Sequence, residues 1–348
     1  MSKAIKLTVL KIARSVGIFR LFRFLTASQV RILCYHGGAI GDEHRLNSLL
    51  FCPTAHFESR LQWLLDNEFN IIKLDDAIAM LGSDQPRPKL PTVLSFDDGW
   101  YSTYKGLHPV LQQYNLPATL YLCTQYFVRG APNLEVTVSY ILWKAPPREV
   151  EIQGFGATVD GRHDTYSTQG KTLLTSSFRA WLEGHCATRQ EFCLALERFA
   201  LQLGVSAEEL DLSSRRFDFV TLNELTQLAD QGWSIELHGH THRYPVGKPE
   251  ELNSDILKCR TEIRNAGLPN PQHYCYPSGD YDDAAHHLLS KLEVKSATTC
   301  APGLIQCADD KQKFYLSRFL DEKNISPLEF ESEMSGFSDF LRKLFERH

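Results

Sequence analysis

Between residues 31 and 320, short apolar runs rich in β-branched residues alternate with amphipathic helical patterns about seven times, and few folds accommodate that rhythm. A strand, a helix and another strand in succession require a crossover, and crossovers build parallel sheets with helices outside. The strand candidates are Arg31–Tyr35, Asn70–Leu74, Thr92–Phe96, Ala118–Cys123, Ser234–Leu237, His273–Tyr276, Lys295–Thr299 and Phe314–Phe319. Between them, His56–Phe69 carries Phe57, Leu61, Leu64 and Leu65 at helical spacing. Asp75 and Asp76 suit the N-cap of a short helix, and Tyr101–Tyr114, Thr221–Gln231, Glu250–Asn265 and Asp282–Leu292 are the later helices. The pattern predicts an α/β barrel of parallel strands, in which reactive side chains gather at the C-terminal strand ends.

Two stretches depart from the rhythm. Gln85–Pro91 holds three prolines and reads as a loop. Residues 128–215 contain a hairpin candidate, Glu149–Thr165 with the turn pair Asp160-Gly161, and a helix over Arg189–Leu203 closed by Gly204. They are read as an insertion packed on the main domain. Ahead of the first strand, residues 3–25 form two amphipathic stretches joined at Gly17. Ile5, Val9, Ile12 and Val16 make one apolar stripe, with Lys3, Lys6, Lys11 and Arg14 on the other side. Ile18, Leu21, Phe22 and Leu25 repeat the pattern opposite Arg20 and Arg23. Charges at that density do not suit the apolar stretch of a cleaved secretion signal. They suit either the interface of an anionic membrane or a helix packed on the barrel with its cations in solvent. The expected organisation is a basic amphipathic segment at 1–28 and one domain at 29–348 with an insertion at about 128–215.

A chain of 348 residues that is 43% apolar and 23% charged has material for a large core. Its net charge of −5 gives no support for nucleic-acid binding. Nine cysteines are scattered without a C-x-x-C pair, most of them in apolar runs, which favours free core thiols and a reducing compartment. No apolar run reaches the roughly 18 residues that a membrane-spanning helix needs.

Three groups of reactive residues lie just past predicted strands: Asp97-Asp98, His238 with His242, and Tyr276-Pro277-Ser278-Gly279. Two imidazoles and a carboxylate are a common ligand set for a catalytic zinc with open positions. A divalent metal polarises an amide carbonyl and acidifies water, and a neighbouring carboxylate can serve as general base. Alone, Asp-Asp-Gly is more often a solvated turn and Tyr-Pro-Ser-Gly is turn chemistry. Three histidines in five residues are a stronger sign, and the three sets together, each after a strand, point to a metal-assisted hydrolase. His240 faces the other way in such a backbone and is left out of the metal shell.

These residues resemble the polysaccharide deacetylase family, also called the NodB homology or carbohydrate esterase family 4. Pro91-Thr92-Val93-Leu94-Ser95-Phe96-Asp97-Asp98-Gly99-Trp100 is similar to its first motif, T-F-D-D-G, and Leu116-Pro117-Ala118-Thr119 to the strand that follows. His238-Gly239-His240-Thr241-His242 resembles the second motif, H-[ST]-x-x-H, with Gly239 in place of the Ser or Thr. Leu33-Cys34-Tyr35-His36 is similar to the leader of the poly-N-acetylglucosamine-deacetylase branch. The likeness covers about residues 31–127 and 217–320. It implies a distorted (β/α)7 barrel and a divalent metal, commonly zinc, with Asp97 as general base and Asp98, His238 and His242 as ligands. Two departures stand out. The third motif usually carries an Arg where this chain has Cys275, which leaves orientation of the base to another group, and Arg318 near the end of the last strand is the candidate. The Leu-x-His motif that supplies the usual general acid has no match, since Leu316-Ser317-Arg318 occupies its region. His36, ending the first strand, either reaches the site or is structural.

The expectation is therefore an α/β chain, a distorted (β/α)7 barrel with an inserted hairpin and helical segment and an N-terminal amphipathic helix. The expected activity is metal-dependent de-N-acetylation of an acetylated amino sugar in a polymer, lipid-linked or nucleotide-linked form. Asp97, Arg318 and His36 are the catalytic candidates, Asp98, His238 and His242 the metal ligands, and Tyr276, Pro277 and Ser278 the substrate and oxyanion contacts. Hydrolysis of a cyclic imide, a ureide or an O-acetyl ester is the alternative on the same fold, and a non-catalytic carbohydrate-binding relic the alternative of another class. The thiols and the basic helix place the chain in the cytoplasm, peripherally on the inner face of the membrane.

Overall fold

The apolar run around Val93 becomes the middle of a strand, Pro91–Asp98, whose eight residues are all buried. Burial on both faces is what a parallel sheet wrapped by helices requires. A computed structural model describes residues 3–83 and 86–345. Met1, Ser2, Asp84, Gln85 and residues 346–348 lie outside the described residues, and with them the ends of the 1–28 and 29–348 segments and the start of the 85–91 loop.

The central strands, in chain order, are β1 (Arg31–Tyr35), β2 (Asn70–Ile71), β3 (Pro91–Asp98), β4 (Ala118–Leu122), β5 (Trp233–Leu237), β6 (His273–Cys275), β7 (Ser296–Thr298) and β8 (Phe319–Leu320). All pair in parallel, in the order β7-β6-β5-β4-β3-β1-β8, and the two-residue β2 joins the start of β3. Leu33 sits opposite Leu94, Phe96 opposite Leu120, and Leu120 opposite Ile235. The last segment closes the curl. The Leu316 N–H donates to the Ala297 carbonyl at 2.9 Å and the Thr299 N–H to the Leu316 carbonyl at 2.8 Å, after which Phe319 and Leu320 pair with Leu33 and Cys34. One stretch thus spans from β7 to β1, and the seven-strand path forms a distorted (β/α)7 barrel.

Several boundaries differ from the sequence reading. Asp97 and Asp98 are the last residues of β3, in register with Tyr121 and Leu122, and do not lie in the turn beyond it. Asp75 and Asp76 fall in the first turn of the helix Leu74–Leu81, whose cap position is Lys73. The helix expected over Tyr101–Tyr114 opens with a wide π turn, Thr103–Leu107, before the regular His108–Gln113. Phe314 ends a short 3-10 turn, so the last strand is only Phe319–Leu320.

Between the helix Thr124–Arg129 and β5 lies a body with its own apolar centre. The antiparallel pair Glu149–Ile152 and Gly161–Asp164 is present, but residues 153–160 connect it, so Asp160-Gly161 is not a two-residue turn. The Asp160 carboxylate instead accepts from the Phe155 N–H at 2.7 Å, tying the loop to itself. Helices Thr168–His185 and Arg189–Gln202 pack above the pair, the second started by a Thr188/Glu191 capping box. The rings of Phe155, Phe178 and Phe199 meet at the centre, with Phe178 and Phe199 stacked 3.8 Å apart. This core continues through Phe217 and Phe219 to Trp100, beside Asp98.

Lys3–Ser15 and Ile18–Leu25 are helices, broken at Gly17 by its left-handed φ of 83°. They pack on the body through Leu10, Ala13, Phe19 and Phe22 against Phe337, while Ile5, Val9, Ile12 and Val16 stay exposed. Helix Pro327–Ser335, begun by a Ser326 capping box with Pro327 in its first turn, and helix Phe337–Phe345 complete this end. Arg31 binds them to the barrel, its buried guanidinium donating to the carbonyls of Met334, Thr26 and Gln29.

Truncating the ring at the centre of the inserted body should be costly. Phe178→Ala is expected to lower the unfolding free energy by about 3–5 kcal/mol, the usual loss for a buried Phe. Denaturant titration measures it, and a loss under about 1 kcal/mol would mean the body is held by something other than this core.

Candidate functional site

Three strand ends deliver the reactive groups to one place. β3 ends in Asp97 and Asp98, β5 runs into His238, and β6 runs into Tyr276. Asp98, His242 and Ser278 all adopt left-handed φ values, 74°, 55° and 58°. Such backbone costs about 1–3 kcal/mol per residue off glycine and tends to persist where the surroundings hold it. Here the holding groups are visible. The Val220 N–H donates to the Gly99 carbonyl and the Tyr101 N–H to Asp218, so the chain leaving the inserted body clamps the turn after Asp98. The Asp255 carboxylate accepts from the His240 and Thr241 N–H groups at 2.7 and 2.9 Å, fixing the turn that carries His242. Gly239 is required there: its φ is 75°, and a Cβ would lie 2.7 Å from the Asp255 Oδ2. The Ser or Thr usual at that position in the resembled motif would be strained by this φ and would have to displace the Asp255 carboxylate.

Asp97 and Asp98 adjoin in sequence and differ in partners. Asp97 is gripped by Arg318, Nη1 to Oδ1 at 2.7 Å and Nη2 to Oδ2 at 2.9 Å, with both residues buried. The thiols of Cys34 and Cys275 lie 3.4 and 3.7 Å from the same Oδ2. Burial alone would raise the Asp97 carboxyl, but the Arg318 guanidinium outweighs it and holds the pKa at about 2. Burial pushes both thiols up, so they remain neutral donors. Arg318 is itself fixed by the Thr299 carbonyl, 3.0 Å from Nε, and by Cys275, whose Sγ is 2.9 Å from Nη2. A small thiol at 275 leaves space for a guanidinium arriving from the far side of the barrel.

Asp98 receives the Trp100 indole N–H on Oδ2 at 2.9 Å. Its Oδ1 is buried and accepts no hydrogen bond from a described residue. The Nε2 atoms of His238 and His242 face that oxygen at 3.4 and 3.1 Å. The His238 Nδ1 lies 2.9 Å from the Cys275 carbonyl, which can only accept, so that nitrogen carries the proton. In the neutral ring Nε2 then points a lone pair at Asp98. An acceptor oxygen and two imidazole nitrogens within 4.8 Å of one another fit a divalent cation. Asp97, His238 and Cys275 also cluster within that range, but Asp97 is neutralised by Arg318 and Cys275 keeps its proton, so the second group suits a metal poorly. Burial works against the charge on Asp98, and positive charge on the facing His242 and His238 rings would more than offset it, holding its carboxyl well below the usual range.

His240 turns away, its Nδ1 3.0 Å from the Thr124 hydroxyl. His36 is half-buried at the end of β1, near enough to act electrostatically on both aspartates. Tyr276 is fully buried among Tyr244, Tyr274, Tyr281 and Tyr315, and its N–H donates to the Thr298 carbonyl. Pro277 is buried and has no N–H, whereas Ser278 is exposed in the cleft. That cleft, about 450 Å³, is lined by Asp98, Trp100, Tyr126, Asn133, His242 and Ser278 among others. Tyr126, Asn133, Glu135 and His242 also line a wider groove of about 790 Å³, walled by Arg179 and Glu183 of the inserted body.

Sequence reasoning missed Cys34, Asp255, Tyr126 and the indole of Trp100. Trp100 stood two residues from Asp98 and carries a donor that a buried carboxylate can use. Cys34 stood within the leader motif, with no sign of its contact with Asp97, and nothing in the sequence marked Asp255 or Tyr126.

Arg318→Met should strand a buried carboxylate. The expected loss of stability is about 3–5 kcal/mol, larger than for an exposed pair. Denaturant unfolding at neutral pH measures it, and a loss within about 0.5 kcal/mol would show that Asp97 is not held by this arginine.

A family model for polysaccharide deacetylases matches residues 84–148 and 207–297, on both sides of the inserted body. A putative polysaccharide deacetylase of Bacillus subtilis, YxkH, is 30% identical over 95 residues, which is 27% of this chain and 32% of that protein. The chain thus matches about a third of the length of this curated relative. Among solved structures, the fold is similar to the deacetylase PplD of Streptococcus pyogenes in complex with acetate, with a TM-score of 0.57 and 17% identity over 89% of this chain and 99% of that one. It is also similar to IcaB from Ammonifex degensii, with a TM-score of 0.54 and 11% identity over 88% and 97% of the two chains. Both aspartates and both histidines lie in the matched segments and at the ends of parallel strands, so the chain is similar to the polysaccharide deacetylase family in its motifs as well as in its fold.

Proposed function

We propose that the chain is a metal-dependent hydrolase that removes N-acetyl groups from an acetylated amino sugar in a glycan or glycolipid precursor. The carrying observation is the division of labour between neighbouring carboxylates, one locked to Arg318 and the other opening an unshared oxygen toward two imidazole nitrogens. Asp98, His238 and His242 would hold the ion, zinc first among the candidates. When bound, such an ion supplies Lewis acidity to a carbonyl oxygen and makes water a better nucleophile.

The chain's own groups do the remainder. Asp97, ionised at neutral pH, keeps lone pairs beyond the two that Arg318 engages, and in this reading it takes the proton of the attacking water. Arg318 is a positioning residue that fixes the carboxylate plane. Among the three residues after β6, Ser278 is the one whose backbone N–H makes no hydrogen bond to a described residue and could meet an oxyanion, since that of Tyr276 is spent on Thr298 and Pro277 has none. His36 is the group proposed to return a proton to the departing amine nitrogen, supported by its place beside both aspartates. Tyr126, part-exposed in the cleft, gives the sugar an apolar face to lie on.

The substrate is proposed to be polymeric, lipid-linked or nucleotide-linked N-acetylhexosamine. The nine free cysteines support a reducing, cytoplasmic location, and the exposed apolar stripe of residues 3–25 supports peripheral contact with the inner membrane face. No described helix is long and apolar enough to cross a membrane.

Zinc-reconstituted protein should release acetate and an equal amount of free amine from N-acetylhexosamine oligomers or their lipid-linked forms. Acetate from O-acetylated sugars but none from N-acetylated ones would indicate an ester substrate, and no acetate from any N-acetylated sugar would remove the reading. Asp97→Asn should keep its zinc and lose about 10²–10⁴-fold in turnover. Asp98→Asn and His238→Ala should lose most of the metal by elemental analysis while staying folded. Near-normal turnover in Asp97→Asn, or full zinc in His238→Ala, would overturn the assignments.

A further inference from the structure

We infer that the two N-terminal helices and the C-terminal helix form one composite docking surface for an anionic lipid bilayer. The inference rests on the membrane reading of residues 3–25 and extends it to a segment at the other end of the chain. Helix Lys3–Ser15 uses Leu10 and Ala13 for packing, yet Ile5, Val9, Ile12 and Val16 are 41–66% exposed on another face. Leu21, Phe24 and Leu25 of the next helix are 53–78% exposed. Phe340, Leu344 and Phe345 add 44–71% exposure from the helix Phe337–Phe345. The two helices are in direct contact, with the Phe22 ring 5.3 Å from Phe337 and 5.0 Å from Phe340, so their apolar faces adjoin. Ten of the 22 large hydrophobic side chains exposed among the described residues fall in these two short segments. A concentration of that kind marks a contact surface, unlike singly scattered exposed residues.

Charge selects the occupant. Residues 3–25 hold six cations and no acid in a chain whose net charge is −5. Lys6 and Arg14 are spent on Glu329 and Glu331, and Arg23 on Asn67, which anchors the helices to the body. Lys11 and Arg20 are exposed and make no ion pair among the described residues, so they remain uncompensated positive charge on these two helices. A second copy pairing through the same surface by a two-fold axis would bring these cations toward their own images. An anionic headgroup layer meets them with opposite charge and receives the apolar side chains beneath. Helices of 13, 8 and 9 residues are too short to span and suit lying in the interface plane.

The test is co-sedimentation of the full chain with vesicles of phosphatidylcholine alone and of phosphatidylcholine mixed with phosphatidylglycerol, at low and high salt. Binding to the mixed vesicles that weakens with salt is expected. The triple variants Ile5→Ser/Val9→Ser/Ile12→Ser and Phe340→Ser/Leu344→Ser/Phe345→Ser should each lower partitioning at least about tenfold, on the scale set by losing three large apolar side chains from the interface. Melting curves check that both stay folded. Lys11→Glu/Arg20→Glu leaves every packing residue in place and should abolish the preference for phosphatidylglycerol. If only the N-terminal variant loses binding, contact through residues 3–25 survives and the composite surface is overturned. Absence of binding by the full chain, or a stable dimer whose dissociation the apolar variants cause, overturns both. No substrate is present in the assay, so failure of the deacetylase reading would not mimic any of these results.

Discussion

A guanidinium and a carboxylate, both wholly withdrawn from water, sit where the first and last strands of the barrel meet. Removing two charges from solvent costs several kcal/mol per ion, and only close geometry with further hydrogen bonds recovers it. Arg318 and Asp97 meet that condition with two parallel contacts, a carbonyl on Nε and a thiol against Nη2. The pair therefore constrains the register of the closing segment. Arg318 can reach Asp97 only if residues 316–320 run from β7 across to β1, the path its neighbours' hydrogen bonds take. Closure of the barrel and orientation of the Asp97 carboxylate are two consequences of one contact.

Fixing Asp97 in this way leaves Asp98 to a different chemistry. Successive residues in a strand point to opposite faces, but the left-handed φ of Asp98 breaks that alternation at the strand end. One carboxylate faces the buried arginine and the other faces the two imidazoles. The inserted body contributes through the aromatic ladder Trp100–Phe219–Tyr126, with rings stacked at 4.7 and 4.4 Å, which walls the cleft beside His242. A segment remote in sequence thereby shapes the space next to Asp98.

The fold and the reactive residues were readable to different depths. Strand–helix alternation is a property of local periodicity, so the barrel and the places of Asp97, Asp98, His238 and His242 followed from pattern and motif. Arg318 was found through an absence, the Cys at 275 where an Arg is usual. The hairpin turn failed because Asp160-Gly161 has the composition of a tight turn, while the Asp160 side chain closes a longer loop. Phe314–Phe319 looked like one strand because its apolar content serves a 3-10 turn and a single bridge before pairing begins. Asp255 and Tyr126 act through contacts with residues 14 or more positions away, and local pattern carries no trace of them; the leader motif contains Cys34 without showing that it meets Asp97. The amphipathic N-terminal helix was ambiguous for a physical reason: it has two apolar faces, one packed on the body and one in solvent.

The claim on which the account turns is that Arg318 acts on the reaction only through Asp97. A double-mutant cycle in kcat/KM for acetate release, using zinc-loaded wild type, Asp97→Asn, Arg318→Met and the double variant, tests it most directly. Residues acting as a unit are non-additive, so the double variant should be little worse than Asp97→Asn alone. If the two losses simply multiply, the arginine has an independent role and the paired-carboxylate account of this site is contradicted.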